Sequence, residues 1–145
     1  MQTFHGKSIL KRIAIGPIRV YHKAEQEIVR ISQRTPAEEW SRTEAACAEA
    51  QAQLGALYDH ALETVGEEND AIFEIHQMML EDDDYLDAIK ARIEAEGMTA
   101  EYAVSVTGDE FSEAFASMED AYMKARAADV KDISHRVLIF LKCVV

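Results

Sequence analysis

Cysteine is scarce: Cys47 and Cys143 are the only two in 145 residues. Neither stands in a C-x-x-C pair, so a disulfide framework and a thiolate metal site are both excluded, and a cytosolic protein with free thiols is expected. No apolar run approaches the ~20 residues needed to cross a bilayer. The N-terminus is basic but has no apolar h-region and no small-residue cleavage site, so no signal peptide is expected. Gly-rich phosphate loops, H-E-x-x-H and G-x-S-x-G are absent. A carboxylate-bridged di-iron bundle needs two Glu-x-x-His units, and only Asp132-x-x-His135 comes near. There is no internal repeat and no low-complexity tract.

Charge is what the chain has in excess. The net value is -12, unevenly placed. Residues 1–34 hold seven Lys/Arg and two acids, or +5; the remainder holds eight basic and 25 acidic residues, or -17. That balance disfavours nucleic acid as a partner, because phosphate contacts need a basic surface. It favours a basic partner protein drawn in by complementary charge.

Residues 1–34 read as short strands. Ile13 to Val20 places β-branched residues around a Gly16-Pro17 turn signal, and Ile28-Val29-Arg30-Ile31 is a second β-like patch. Two or three short strands are marginal alone. At Thr35 the pattern changes. Thr35-Pro36-Ala37-Glu38 is a capping box with Pro at the first helical position. Trp40, Cys47, Ala50, Leu54, Leu57, Ala61 and Val65 then mark one face of a long helix, which Gly66 stops. A shorter helix carries Ile72, Ile75, His76 and Met79 on one side. Glu81-Asp82-Asp83-Asp84 interrupts it, and since acids favour a helix N-terminus, a fresh helix with Leu86, Ile89 and Ile93 follows, ending at Gly97. Thr99 caps the next helix, with Glu101 in its first turn and Val104, Phe111, Phe115 and Met118 along it. A last helix begins near Asp120 and carries Tyr122, Val130, Ile133, Val137 and Leu141. Gly108 and Ser117 mark irregularities. The expected fold is mainly α: two packed helical hairpins, four helices with one broken near 81–84, behind a small β appendage.

The segment Gly66–Asp87 contains nine acids and no Lys or Arg, interleaved with Ile72, Phe73, Ile75, Met78, Met79 and Leu80. Composition leaves two readings level. One is a solvated acidic face over a fully used core. The other is an exposed apolar patch with an acidic rim, fit for a basic partner. His76, in Ile75-His76-Gln77-Met78-Met79, reads from spacing as a helix histidine at the edge of the core.

The same residues carry a family pattern. Gly66-Glu67-Glu68-x-x-Ala71-Ile72-Phe73-Glu74-x-His76-x-Met78-Met79-Leu80-Glu81-Asp82 resembles the G-E-x-x-x-A-I-F-E-x-H-x-M-x-L-E-D segment of enzyme I of the bacterial phosphoenolpyruvate:sugar phosphotransferase system. Asp120-x-Tyr122-x-x-x-Arg126-Ala127-Ala128-Asp129-Val130-x-Asp132-Ile133-x-x-Arg136-Val137-Leu138 resembles a second helix of that family at the right separation. Ile13-Ala14-Ile15-Gly16 resembles its opening strand, although Leu10-Lys11-Arg12 stands where S-P-G is usual.

The resemblance implies a domain plan: residues 1–34 as the first strands of an incomplete α/β phosphohistidine domain, residues 35–145 as a helical domain that binds the histidine phosphocarrier protein HPr. Enzyme I takes phosphate from phosphoenolpyruvate onto a histidine, with Mg²⁺, and passes it to HPr. The G-G-x-x-[ST]-H-x-x-I-x-[AG]-R motif of that histidine is absent, and Ser134-His135-Arg136 lacks its context. The phosphoenolpyruvate-binding barrel is also absent. The expectation is therefore a cytoplasmic piece of the longer enzyme, inactive alone and without a cofactor of its own. The implied HPr contacts fall on Glu67, Glu68, Ala71, His76, Met79, Asp82, Asp83, Asp84, Tyr85, Phe115 and Arg126. Carboxylates would meet Lys and Arg of HPr; Met79, Tyr85 and Phe115 would supply apolar contact. Arg126 would hold the carboxylates apart, pair with a partner acid, or form an internal salt bridge. Alternatives at this stage are a nitrogen-regulatory or multiphosphoryl-transfer relative, and a helical module that self-associates through the same patch.

Overall fold

The computed structural model describes Gly16 and Pro17, residues 28–64 and residues 71–143. Five helices follow in order: α1 (Pro36–Thr64), α2 (Ala71–Leu80), α3 (Asp83–Glu96), α4 (Ala100–Ala116) and α5 (Ala121–Cys143). The mainly α expectation holds, with the anticipated break separating α2 from α3.

Local chemistry sets most of the boundaries. The Thr35 amide donates to Glu38 Oε2 at 2.8 Å and the Glu38 amide donates to Thr35 Oγ1 at 3.3 Å, the reciprocal pair of a capping box. Asp82 caps α3 by accepting from the Tyr85 amide at 3.0 Å. Gly97 ends α3 at φ 63°, a conformation that costs glycine little. Thr99 caps α4 through the Tyr102 amide at 3.1 Å, and Asp120 accepts from the Met123 amide at 2.9 Å where α5 begins. Ser117 is the break between α4 and α5, whereas Gly108 is buried inside α4.

α4 and α5 form the most extensive helix pair; α1 lies against α5 and α2, and α3 leans chiefly on α4. Ala46, Ala50 and Leu54 of α1 meet Leu80, Ile89, Ile93, Ala103, Val104, Ile133, Val137 and Leu141 in one buried cluster. Each of the fully buried large aliphatics stabilises the fold by about 1.5–3 kcal/mol. Four positions expected on apolar helix faces are exposed, Leu57 (36%), Ile72 (47%), Met118 (39%) and Tyr122 (64%), while Leu80 is buried. The 29-residue α1 outruns the ten-residue α2 packed on it, and the apolar residues of α2 exceed the one face that α1 and α5 cover.

The second β-like patch finds its partner inside the chain. Ile31 makes an isolated antiparallel bridge with Met98, the Ser32 amide donates to Gly97 O at 2.9 Å, and the Thr99 amide donates to Arg30 O at 3.0 Å. The patch is thereby clamped to the α3–α4 connection. The first expected strand, from Ile13 to Val20, lies outside the described residues apart from Gly16 and Pro17.

A carboxylate at the centre secures this corner. Glu39 of α1 is fully buried. It accepts from the Ser32 hydroxyl, from the Ala100 amide at 3.1 Å and from Arg42 Nη1 at 2.6 Å. Arg42 reaches on to Glu101 Oε1 at 2.5 Å and to Leu141 O at 3.3 Å. One ionic network thus joins α1, α4, α5 and the segment ahead of α1. Burial opposes ionisation of Glu39 most strongly, but the bonds from Ser32, Ala100 and Arg42 together outweigh it and hold its carboxyl below the usual range.

Candidate functional site

A groove opens where α2, α3, α4 and α5 meet. It encloses about 170 Å³ and is lined by Met79, Asp82, Asp84, Tyr85, Phe111, Phe115, Val130 and Ile133. Five of the eleven residues singled out from the sequence line it: Met79, Asp82, Asp84, Tyr85 and Phe115.

Their roles differ. Met79 and Phe115 are half-buried, each with an accessible apolar portion, as a contact surface needs. Asp82, Asp83 and Asp84 are all exposed at the start of α3. Asp82 is already committed to the cap, which leaves Asp84 as the rim carboxylate beside the apolar lining. Tyr85 departs from expectation. It is only 3% exposed, its ring meets Phe111 edge-on with centroids 5.6 Å apart, and its hydroxyl lies 2.7 Å from Ser134 Oγ. Its side chain is held inward by the Ser134 bond and the Phe111 contact, and it forms the floor of the groove. Burial pushes its phenol well above the usual range.

His76 is buried, with Nε2 3.3 Å from Asp129 Oδ1. Arg126 donates from Nη1 to Asp129 Oδ2 at 2.8 Å, and its guanidinium carbon sits 4.3 Å from the Tyr122 ring centroid. The internal salt bridge is therefore the observed state of Arg126. Ala71 opens α2. Glu67 and Glu68 lie outside the described residues.

The exposed apolar excess of α2 is real. Ile72 and Met78 are 47% and 68% exposed. No Lys or Arg occurs from Ile72 to Asp87, so apolar surface and unbalanced acid coincide on this side of the domain.

The core assignment of Val130 and Ile133 holds, both being buried, and Phe111 packs against the core; what sequence reasoning missed is that a groove reaches down to all three. Sequence reasoning also missed Asp129, whose importance comes from two partners, one of them 53 residues away. Among the described residues, no group of three or more His, Cys, Asp or Glu is arranged to hold a metal ion. The Mg²⁺ expected of the longer enzyme has no fitting ligand set among them. No helix among the described residues is long and apolar enough to cross a membrane.

Comparison with known proteins gives the family. The model described as "PEP-utilising enzyme, N-terminal" matches residues 5–126. Phosphoenolpyruvate-protein phosphotransferase of Geobacillus stearothermophilus is 39% identical over 143 residues, which is 97% of this chain and 24% of that protein. Its counterpart in Lactococcus lactis subsp. lactis is 42% identical over 106 residues, 72% of this chain and 18% of that one. The chain thus spans a quarter or less of these relatives. A solution structure of Enzyme I superposes with a TM-score of 0.77 at 26% identity, covering 84% of this chain and 49% of the other. The N-terminal domain of a nitrogen-type Enzyme 1 gives 0.74 at 28%, covering 82% and 50%. With the family model spanning most of its length and the helical architecture shared, this chain belongs to the N-terminal family of phosphoenolpyruvate-utilising enzymes and carries the helical part of an enzyme I N-terminal domain.

Proposed function

We propose that this domain docks the histidine phosphocarrier protein HPr, so that a phosphoryl group passes to HPr from the phosphohistidine of the parent enzyme I, in the cytoplasm. The observation that carries the reading is the groove. Met79, Phe111 and Phe115 offer apolar contact, Asp84 stands at the rim, and the stretch from Ile72 to Asp87, which covers α2 and the start of α3, is acidic without a Lys or Arg. Such a surface suits a partner with an apolar centre and a Lys/Arg periphery.

The domain contributes placement rather than reacting groups. Phosphoryl transfer depends on an in-line approach of donor and acceptor, and holding two proteins in register converts a collision into an intramolecular step. The histidine that carries phosphate, the phosphoenolpyruvate site and its Mg²⁺ belong, in this reading, to the rest of the enzyme I chain. The apolar contacts govern how long the complex lasts, because exposed ion pairs contribute only about 0–1 kcal/mol each. The carboxylates chiefly accelerate encounter.

The test is a titration of the domain with unphosphorylated HPr and, separately, with the nitrogen-branch carrier, followed by amide shifts at low and moderate salt. Shifts clustered on residues 71–85 and around Phe115, weakening as salt rises, support HPr docking. Tighter binding of the nitrogen-branch carrier reassigns the partner. A concentration-dependent mass with no carrier binding overturns the proposal in favour of self-association.

A further inference from the structure

The carboxylate of Asp129 is divided between two helices. Oδ1 faces His76 of α2 at 3.3 Å, and Oδ2 accepts from Arg126 of α5 itself at 2.8 Å. The three side chains are only 8%, 14% and 18% exposed for His76, Asp129 and Arg126, and the Tyr122 ring covers the guanidinium face. Pairs so withdrawn from water are held in one geometry, because separating them strands a polar group with little solvent to replace its partner. His76 lies three residues before Met79 and four before Leu80, hence on the same side of α2. Leu80 is buried in the core and Met79 forms a groove wall. Whatever fixes His76 therefore fixes where Met79 stands relative to α5, whose Val130 and Ile133 line the same groove. Val130 is the residue next to Asp129.

We infer that Asp129 is the positioning residue of the docking face: it ties α2 to α5 through His76, holding Met79 in the groove wall, and with its other oxygen it keeps Arg126 in one orientation alongside. This rests on the docking reading and adds to it a residue outside the groove lining. Asp129 needs no contact with the partner. Its influence passes through Met79 and Arg126.

The experiment compares the wild-type domain with Asp129→Asn, Asp129→Glu and His76→Gln. HPr affinity should fall about tenfold in Asp129→Asn, in the range of couplings within one polar network, chiefly through faster dissociation. Unfolding should remain a single cooperative transition. Without HPr present, the Met79 methyl and Arg126 Nε–Hε signals should both shift in Asp129→Asn and return toward wild type in Asp129→Glu. His76→Gln should reproduce the affinity loss and the Met79 shift while sparing the Arg126 signal, and it serves as the second variant if Asp129→Asn fails to fold. Asp129→Asn combined with Met79→Ala should weaken binding by less than the product of the single effects. Unchanged Met79 and Arg126 signals, or multiplicative losses, overturn the inference. If the wild-type domain does not bind HPr, the docking reading fails, and the two spectroscopic signals still decide whether Asp129 places Met79 and Arg126.

Discussion

The hydroxyl of Tyr85 on α3 lies 2.7 Å from the hydroxyl of Ser134 on α5, and Ser134 Oγ spends its own hydrogen on Val130 O at 2.8 Å. Tyr85 is therefore the donor and Ser134 the acceptor. This bond links the floor of the groove to the helix behind it. It also explains why a residue in an acidic, exposed stretch of sequence is turned inward: its phenol has a buried partner waiting 49 residues later.

The two ends of that bond should not be equivalent. Tyr85→Phe removes the donor but leaves Ser134 bonded to Val130, so the loss should be about 0.5–1.5 kcal/mol. Ser134→Ala leaves a buried phenol with no acceptor and should lose more, about 1–3 kcal/mol. Guanidinium unfolding of the two variants measures the order, and a larger loss in Tyr85→Phe would reject the donor assignment.

Gly108 should resist a substitution that helix propensity favours. Replacing glycine by alanine in a helix interior ordinarily gains roughly 1 kcal/mol. Here an added Cβ would sit 2.7 Å from Ser134 Cβ, closer than packed atoms allow. Gly108→Ala should therefore destabilise by about 1–3 kcal/mol, the usual range for overpacking. Pairing it with Ser134→Gly, which removes the clashing atoms, should recover part of that loss. Thermal unfolding of the two single variants and the double variant tests this coupling.

Glu39 should make stability acid-sensitive. Its folded carboxyl is held below the ordinary value of 4.5. The contribution of its charge is then complete above the unfolded value and is lost as pH falls through the folded one. Glu39→Gln keeps the shape and removes the charge, so it should cost about 1–3 kcal/mol at pH 7. The gap to wild type should narrow below pH ~4.5, as the wild-type carboxyl takes up its proton. Urea unfolding of both proteins across pH 3–7 reads the gap directly; a constant gap would mean that the charge contributes nothing.

Cys47 should be chemically silent. It is 6% exposed, and burial, with the nearby Glu44 carboxylate adding to it, pushes its thiol up to about 11. At pH 8 only about one thiol in a thousand would be ionised, and the thiolate is the reactive form. Alkylation of Cys47 followed by mass spectrometry should proceed no faster than the domain opens, and should accelerate sharply in denaturant. Rapid labelling under native conditions would contradict this burial.

Contact and charge at the groove should separate kinetically. Met79→Ala should raise the dissociation rate of an HPr complex several-fold with little change in association. Asp84→Asn should lower the association rate and flatten its salt dependence. Asp84 is the better probe than Asp82, because Asp82 also caps α3 and its loss would fray the helix. Stopped-flow mixing at two ionic strengths distinguishes these effects.

The helical class, the break ahead of α3 and the caps at Thr35, Asp82, Thr99 and Asp120 follow from residues within four positions of one another, and helix nucleation and capping are local events. The acidic, apolar-rich stretch from Ile72 to Asp87 was visible for the same reason, since composition along the chain is preserved on the surface of short helices. Tertiary structure decided what those residues face. It buried Tyr85 against Ser134, gave Asp129 to both His76 and Arg126, put Glu39 at the centre of a four-part network, and opened a groove that reaches down to Phe111, Val130 and Ile133. Each of these depends on partners brought from more than ten residues away, or on which side of a helix its neighbours leave open. Periodicity identifies an apolar face; only packing settles whether that face is covered.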